Sequence, residues 1–447
     1  MPATDNHPGP DHKPAPGLLG PPDHPLRFAL SEEMHVRIFP AMKSPERLFQ
    51  LMMLTGEGGY KADRAHVDRL CKHFGKAPLL HDIKHFNADL GPFHLHWESH
   101  TEFSTYSFIQ QGDFSTPFDD TILKHIPESW LKTLPGTVLR ATQLAILDKK
   151  AAEPSAEELA KMFRPDDLVS CHVAQGEARI WSDFRLHDNG FGWLLVHDRG
   201  LKGGDVARLA QRLLEMGNYR KIALLGLPMA QRLTPRVSAL ERELTAIVAR
   251  MAEGREEEDK LLNELSELSA ALSQIAAETS YRISATRAYN QIVMDRMREL
   301  DETRIQGFQT LSDFTERRLA PAERTCNSFA RRLEDLANRV GRASNLLRTK
   351  ISNSVERQNA VLLASMNERA RLQLRLQQTV EGLSVAAVSY YLVGLVGYGL
   401  KAIEAAGLAF NEAIAQGIAI VPVVLFVTFV VHRIRHKITG ADGQHDI

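Results

Sequence analysis

The sequence predicts an α+β cytosolic domain, then a long α-helical coiled-coil stalk, then a C-terminal two-helix transmembrane hairpin. Three observations carry this. Strand-like and helix-like runs alternate over the first half. A Leu-, Ala-, Arg- and Glu-rich stretch follows, with apolar residues at alternating steps of three and four. Two uncharged apolar runs, Gly382–Leu400 and Ala413–Val431, lie near the end.

The first 26 residues contain eight prolines and no apolar segment of signal-peptide type. A disordered Pro-rich arm over residues 1–24, kept in the cytosol, is expected from that composition. The α+β domain is placed at residues 25–233. Its strands are read at Phe93–Trp97, Glu102–Ile109, Val138–Leu147, Leu168–Val173, Ala178–Leu186, Phe191–His197 and Lys221–Leu225. Asn189-Gly190 supplies the positive φ angles of a tight hairpin turn. Asp205 is expected to cap a helix from Val206 to Met216, closed by Gly217-Asn218. That helix start accounts for the glycines at 200, 203 and 204 without a nucleotide. Neither they nor Gly56, Gly58 and Gly59 have P-loop or dinucleotide-fingerprint spacing.

The stalk is placed at residues 234–381, where no tryptophan and only Pro235 and Pro321 among prolines follow Thr234 before the spans. Val237, Leu240, Leu244, Ile247 and Met251 form one seam, Leu261, Leu265, Leu268, Leu272 and Ile275 a second, and Cys326, Phe329, Leu333, Leu336 and Val340 a third. Pro321 is expected to separate two helices and Gly254 to kink an earlier one. From Ala322 to Leu400 no stop signal interrupts the pattern. A helix of that length needs neighbours, supplied by the chain's own earlier helices or by other subunits, so a homo-oligomer is expected.

Each apolar run (382–400 and 413–431, within a hairpin over 382–431) has 19 residues, with twelve between them. At about 1.5 Å per residue each reaches roughly 28 Å, the thickness of a bilayer's hydrocarbon core. The alternative, a pair of buried core helices, seldom shows uninterrupted runs this long. Arg369, Arg371 and Arg375 precede the first run. Arg433, Arg435 and Lys437 follow the second, in a basic tail over 432–447. The positive-inside bias then places both termini in the cytosol, with the lipid bilayer of the cytoplasmic (inner) membrane as partner. Cys71, Cys171 and Cys326 are widely spaced, as reduced cytosolic thiols are. Lys plus Arg number 54 against 55 Asp plus Glu, so a basic nucleic-acid-binding composition is excluded.

Two groups of residues invite a chemical role. His94, His96, Glu98, His100 and Glu102 alternate, and on one continuous strand all would face the same way, with His81 and His85 nearby. Imidazole and carboxylate suit a divalent transition-metal ion. The competing reading is the polar outer face of a half-buried strand, with Phe93, Leu95 and Trp97 inward. Because the row extends over more than ~13 Å, two or three of the five would share an ion. Glu381 stands one residue before the first apolar run, where an oligomer would form a ring of carboxylates at a cation entrance; a headgroup-level charge is the plainer alternative.

The run Arg317–Cys326, the stretch Leu346–Asn359, the segment Thr379–Val385 leading into Tyr390-Tyr391, and Trp97–Phe103 together resemble a bacterial family catalogued as domain of unknown function 3422. Its members are described as membrane-anchored. The resemblance implies the architecture and no activity. In layout alone the chain also resembles CorA-type divalent-cation channels, which are pentameric and end their first span in Tyr-Gly-Met-Asn. The corresponding residues are Tyr398, Gly399, Leu400 and Lys401, so only the Tyr and Gly match. A lysine at that mouth would repel cations and implies loss of Mg²⁺ selectivity.

Signatures of serine hydrolases, zinc proteases, P-loop enzymes and kinases are missing from the sequence. The resulting expectation is a membrane-anchored scaffold or sensor that presents a cytosolic domain. The alternative is a CorA-like ion channel.

Overall fold

The computed structural model describes residues 24–27, 30–31, 39–56, 58–79, 83–254, 257–405 and 411–439. The Pro-rich arm lies outside them except for His24, as do His81 and the middle of the loop between the two apolar runs. Met1–Ala343 and Ser344–Ile447 form two compact units.

The first unit is built on a nine-stranded sheet in the order β2-β3-β4-β1-β5-β8-β7-β6-β9. These are β1 (Glu46–Leu54), β2 (His85–Asp89), β3 (His94–Ser99), β4 (Phe103–Gln111), β5 (Thr137–Leu147), β6 (Val169–Val173), β7 (Ala178–Ser182), β8 (Gly192–Asp198) and β9 (Thr303–Arg304). Pairing is antiparallel throughout except between β5 and β8, where Thr142 stands opposite Gly192 and Leu144 opposite Leu194.

Both faces of the sheet are covered. On one, Phe49, Leu51 and Met53 of β1 pack with Leu95, Trp97, Tyr106 and Phe108 against α1 (Tyr60–His73), α2 (Thr121–Lys124) and α3 (Glu128–Lys132). Helix α1 turns Asp63, His66, Val67, Leu70 and Cys71 inward at helical spacing, and His66 stacks on Trp130 at 4.5 Å. α4 (Ala156–Met162) begins at a capping box of Ser155 and Glu158 and brings Leu159 onto Trp181 and Leu195. On the other face, Leu48, Leu144, Ile146, Cys171, Ile180 and Val196 meet Leu209, Leu213 and Met216 of α5 (Asp205–Ala223).

Three longer helices complete this unit: α6 (Gly226–Glu253), α7 (Glu258–Glu299) and the first part of α8 (Leu311–Ala405). The expected seam residues from Val237 to Ile247, Leu261 to Ile275 and Cys326 to Val340 are buried within the chain itself. Arg332 of α8 reaches Glu241 of α6 at 2.7 Å, and Arg232 of α6 reaches Glu278 of α7 at 2.6 Å. Val293, Met297, Leu311 and Phe314 continue into the sheet's own core, and β9 joins its edge. The region expected to begin a separate stalk at residue 234 thus supplies core and strand to the α/β unit as far as Ala343.

Several local expectations change. The run Lys221–Leu225 belongs to the end of α5 and the turn after it, because Ile222 and Ala223 extend a helical buried stripe. α5 is preceded by Gly204 and runs through Gly217 and Asn218, whose burial against β1 and β5 outweighs their weak helix propensity. Pro321 lies inside α8 without ending it. Gly254 ends α6 in the left-handed conformation at φ 66°. The turn falls where expected and the β7–β8 pair is antiparallel, but only Gly190, at φ 79°, takes a positive φ; Asn189 does not.

In the second unit α8 continues to Ala405, and α9 (Glu412–Thr439) follows. Among the described residues two helices are long and apolar enough to cross a membrane. Where a Cβ on Gly397 of α8 would sit, 2.5 Å away, lies Nε2 of Gln416 of α9, so glycine permits their close approach.

Candidate functional site

The His and Glu row does not run along one strand. β3 stops at Ser99, and His100, Thr101 and Glu102 form the turn into β4, closed by the His100 amide donating to the Phe103 carbonyl at 2.8 Å. The row's side of β3 faces inward: His96 is 2% exposed, its Nδ1 lies 2.6 Å from Asn87 Oδ1, and its ring meets Phe39 edge-on. A solvated outer face is therefore wrong for His96, although Phe93, Leu95 and Trp97 are buried as expected.

Glu98 Oε2 lies 3.6 Å from His96 Nε2 and 3.9 Å from His100 Nε2, which brings three of the five together. His94 lies apart, with a buried Nε2 that has no hydrogen-bond partner, and burial pushes its pKa down. Glu102 is buried, and both its oxygens accept from the guanidinium of Arg282 on α7. Its ligand capacity is thereby committed to a structural pair. Among the described residues no group of three His, Cys, Asp or Glu side chains is placed to hold a metal ion.

Glu381, Tyr398, Gly399 and Lys401 all lie on α8 in the second unit. Tyr398 is 74% exposed and Glu381 is half-buried. At about 1.5 Å per residue, Glu381 and Tyr398 are roughly 25 Å apart along the helix. One chain therefore does not bring them together.

A different constellation lies beneath α5, where β5, β8 and the loop after β7 leave a cavity of about 50 Å³. Arg140 of β5 and Arg220 and Lys221 of α5 line it, with Ser182, Phe184 and Trp193. Arg140 Nη1 donates to Asn218 Oδ1 at 2.7 Å and to the Leu214 carbonyl at 3.3 Å. A Cβ on Gly217 would sit 2.5 Å from the Arg140 Cζ, so this helix-interior glycine makes room for the guanidinium. Arg220 is buried, donates to Thr315 Oγ1 at 3.3 Å, and stands 4.3 Å from the Phe184 ring centre and 5.6 Å from that of Phe314.

The loop that carries Phe184 is held firmly. Phe184 has φ 54°, a conformation L residues adopt rarely. Its amide donates to Ser182 Oγ at 3.1 Å, and the buried carboxylate of Asp183 accepts from the amides of Arg164 and Arg185. Strain of this kind persists where surrounding contacts over-determine it.

Among the described residues no carboxylate forms an ion pair with Arg140, Arg220 or Lys221. Burial, and then the neighbouring Arg220, push Arg140 down to about 9. Burial, and then Arg318, push Arg220 down to about 10. Although Lys221 is solvent-exposed, desolvation by the protein packed around it, followed by both arginines, lowers its pKa as well. Arg140 and Arg220 remain cationic at neutral pH, at a place where the fold concentrates positive charge.

The sequence reading did not find this site. Its signals were Arg140, a lone charge inside an otherwise uncharged strand, and Arg220, which falls one helical repeat after Leu213 on the apolar stripe of α5. Neither points to the other until the sheet is assembled.

The family model described as protein of unknown function (DUF3422) matches residues 22–438, and the chain belongs to that family. No curated protein and no solved structure matches the chain.

Proposed function

We propose that the protein is a membrane-anchored sensor or scaffold, held by a two-span hairpin and presenting its α/β unit to the cytosol. The carrying observation is the surface of the second unit. Only 11% and 6% of the two apolar windows are buried, and Leu383, Tyr390, Leu395, Ile418 and Phe426 are among the exposed side chains. Lipid is the solvent that accepts such surface, since water-facing apolar patches of this extent are rare. The basic residues flanking both runs support cytosolic termini.

Self-association belongs to this reading. The seams through Val340 are satisfied within the chain, whereas Val361, Leu362, Leu363 and Met366 of α8 are each more than half exposed. A stretch of helix without packing neighbours gains stability from a second copy.

Reporters fused at either terminus should be active only in the cytosol, and one inserted at Ala406 only outside. The chain should resist alkaline extraction and run as an oligomer by light scattering in mild detergent. Release by alkali, or an external amino terminus, would defeat the anchor. A strict monomer at all concentrations would remove the oligomer and leave the anchor standing.

A further inference from the structure

We infer that the cavity beneath α5 is a binding site for a phosphate group, held by Arg140, Arg220 and Lys221. The inference deepens the sensor reading by supplying the kind of signal that would be sensed.

Three features of the cavity agree on the ligand. The first is charge: three guanidiniums and an ammonium line one opening, and among the described residues only Arg185 of these is paired with a carboxylate, that of Asp167. Taking cations out of water without a partner is costly, and a doubly charged anion removes that cost more fully than a singly charged one. The second is donor geometry. Each guanidinium carries five N–H donors, yet Arg140 spends only Nη1, on Asn218 and Leu214, and Arg220 donates once, to Thr315. The remaining donors belong to guanidinium forks, the groups best suited to recognise phosphate oxygens in pairs.

The third is size and rigidity. The cavity is small, about 50 Å³, which suits a compact anion such as one phosphate group rather than a large ligand. Phe184 and Phe314, stacked at 4.2 Å, fix Arg220 from one side, and Gly217 seats Arg140 on α5. The site is thus built before the ligand arrives, which lowers the ordering cost of binding. Lys221 is exposed at the opening, suited to draw an anion in. The shared chemistry is a phosphate, whether inorganic phosphate or the headgroup of an anionic lipid.

The test is thermal unfolding of the full chain in detergent, with sodium phosphate against sodium chloride at matched ionic strength. Phosphate should raise the midpoint in a saturable way. Lys221→Gln, an exposed change that leaves the core intact, should weaken the apparent affinity about tenfold. Arg220→Met should abolish the response and raise the phosphate-free midpoint, because an uncompensated buried charge is gone. Equal midpoints in phosphate and chloride would overturn the proposal. So would a wild-type response in both variants.

Repeating the measurement in phosphatidylcholine nanodiscs with and without phosphatidic acid separates the sources. If phosphatidic acid raises the midpoint in an Arg220-dependent way and removes the response to added phosphate, the headgroup is the ligand. If the response to added phosphate persists, the soluble ion is. Failure here, with alkali-resistant insertion retained, would remove the ligand without removing the anchor.

Discussion

At the β3–β4 end of the sheet Glu102 meets Arg282, and Glu98 lies 3.6 Å from His96, whereas Arg140 of β5 and Arg220 of α5 meet no carboxylate among the described residues. Both regions bury polar groups where a doubly covered sheet would ordinarily carry apolar side chains. In the first, the buried carboxylate of Glu102 is answered by Arg282, although His94 and His96 each keep a buried ring nitrogen without a hydrogen-bond partner. In the second the chain supplies one sign only. The difference teaches that burial of charge is not itself a functional signal; burial without compensation is. It also explains why the more conspicuous pattern in the sequence, alternating His and Glu, is the less suggestive site in the folded chain.

The largest effect expected from breaking this contrast is at the compensated end. Arg282→Ala leaves the buried Glu102 without its partner and should cost about 3–5 kcal/mol, read as a fall in the thermal midpoint of the full chain. Arg282→Ala combined with Glu102→Gln should recover part of it. A midpoint unchanged by Arg282→Ala would show that the pair does not hold the turn to α7.

Glu46 is the acidic counterpart of the cationic cavity. It is 4% exposed, accepts a 3.0 Å hydrogen bond from the Lys43 amide, and is raised by burial to about 7 from an ordinary value of 4.5. Between those values the folded chain holds a proton that the unfolded chain has lost, so stability falls as pH rises through this window. Above pH 7 the accumulated cost is about 3 kcal/mol. Glu46→Gln should flatten the fall and raise the midpoint at pH 8 but not at pH 4. Equal gains at both pH values would refute the assignment.

Arg185 lines the same cavity as Arg140 but is paired with Asp167 at 2.5 Å and is 47% exposed. Arg185→Gln should change stability by less than ~1 kcal/mol and leave the phosphate response intact. Loss of that response would show that compensation fails to distinguish the cations. The smallest effect is expected for metal. Elemental analysis of the full chain should find the same substoichiometric zinc, manganese and iron before and after His96→Ala with His100→Ala. Near-stoichiometric metal lost in that variant would restore the His and Glu row as a site.

The sequence is a good guide wherever one periodic signal meets one environment. β4, β5, β6 and β8 lie within about two residues of their expected bounds, since β-branched and aromatic residues between turn signals have few other uses. β1 is not legible in the sequence although it is an interior strand, between β4 and β5. Its run Leu48–Leu54 packs on both faces, so alternation is absent, and its Leu and Met favour helix when read locally. β2 is short and polar, an edge strand that β3 pairs rather than a pattern of its own.

The apolar runs, the three helical seams and the hairpin turn at Gly190 were determined by the sequence alone, because each rests on the covalent geometry of a single helix or turn. The tertiary structure decided what the seams touch, namely each other within one chain. It decided that His100 and Glu102 leave the strand at a turn, and it brought Arg140 beside Arg220 across 80 residues of sequence. Periodicity fixes which face of an element is buried, but the partner of that face is chosen by packing. Whether a buried charge finds a counter-charge is settled only when distant elements close around it.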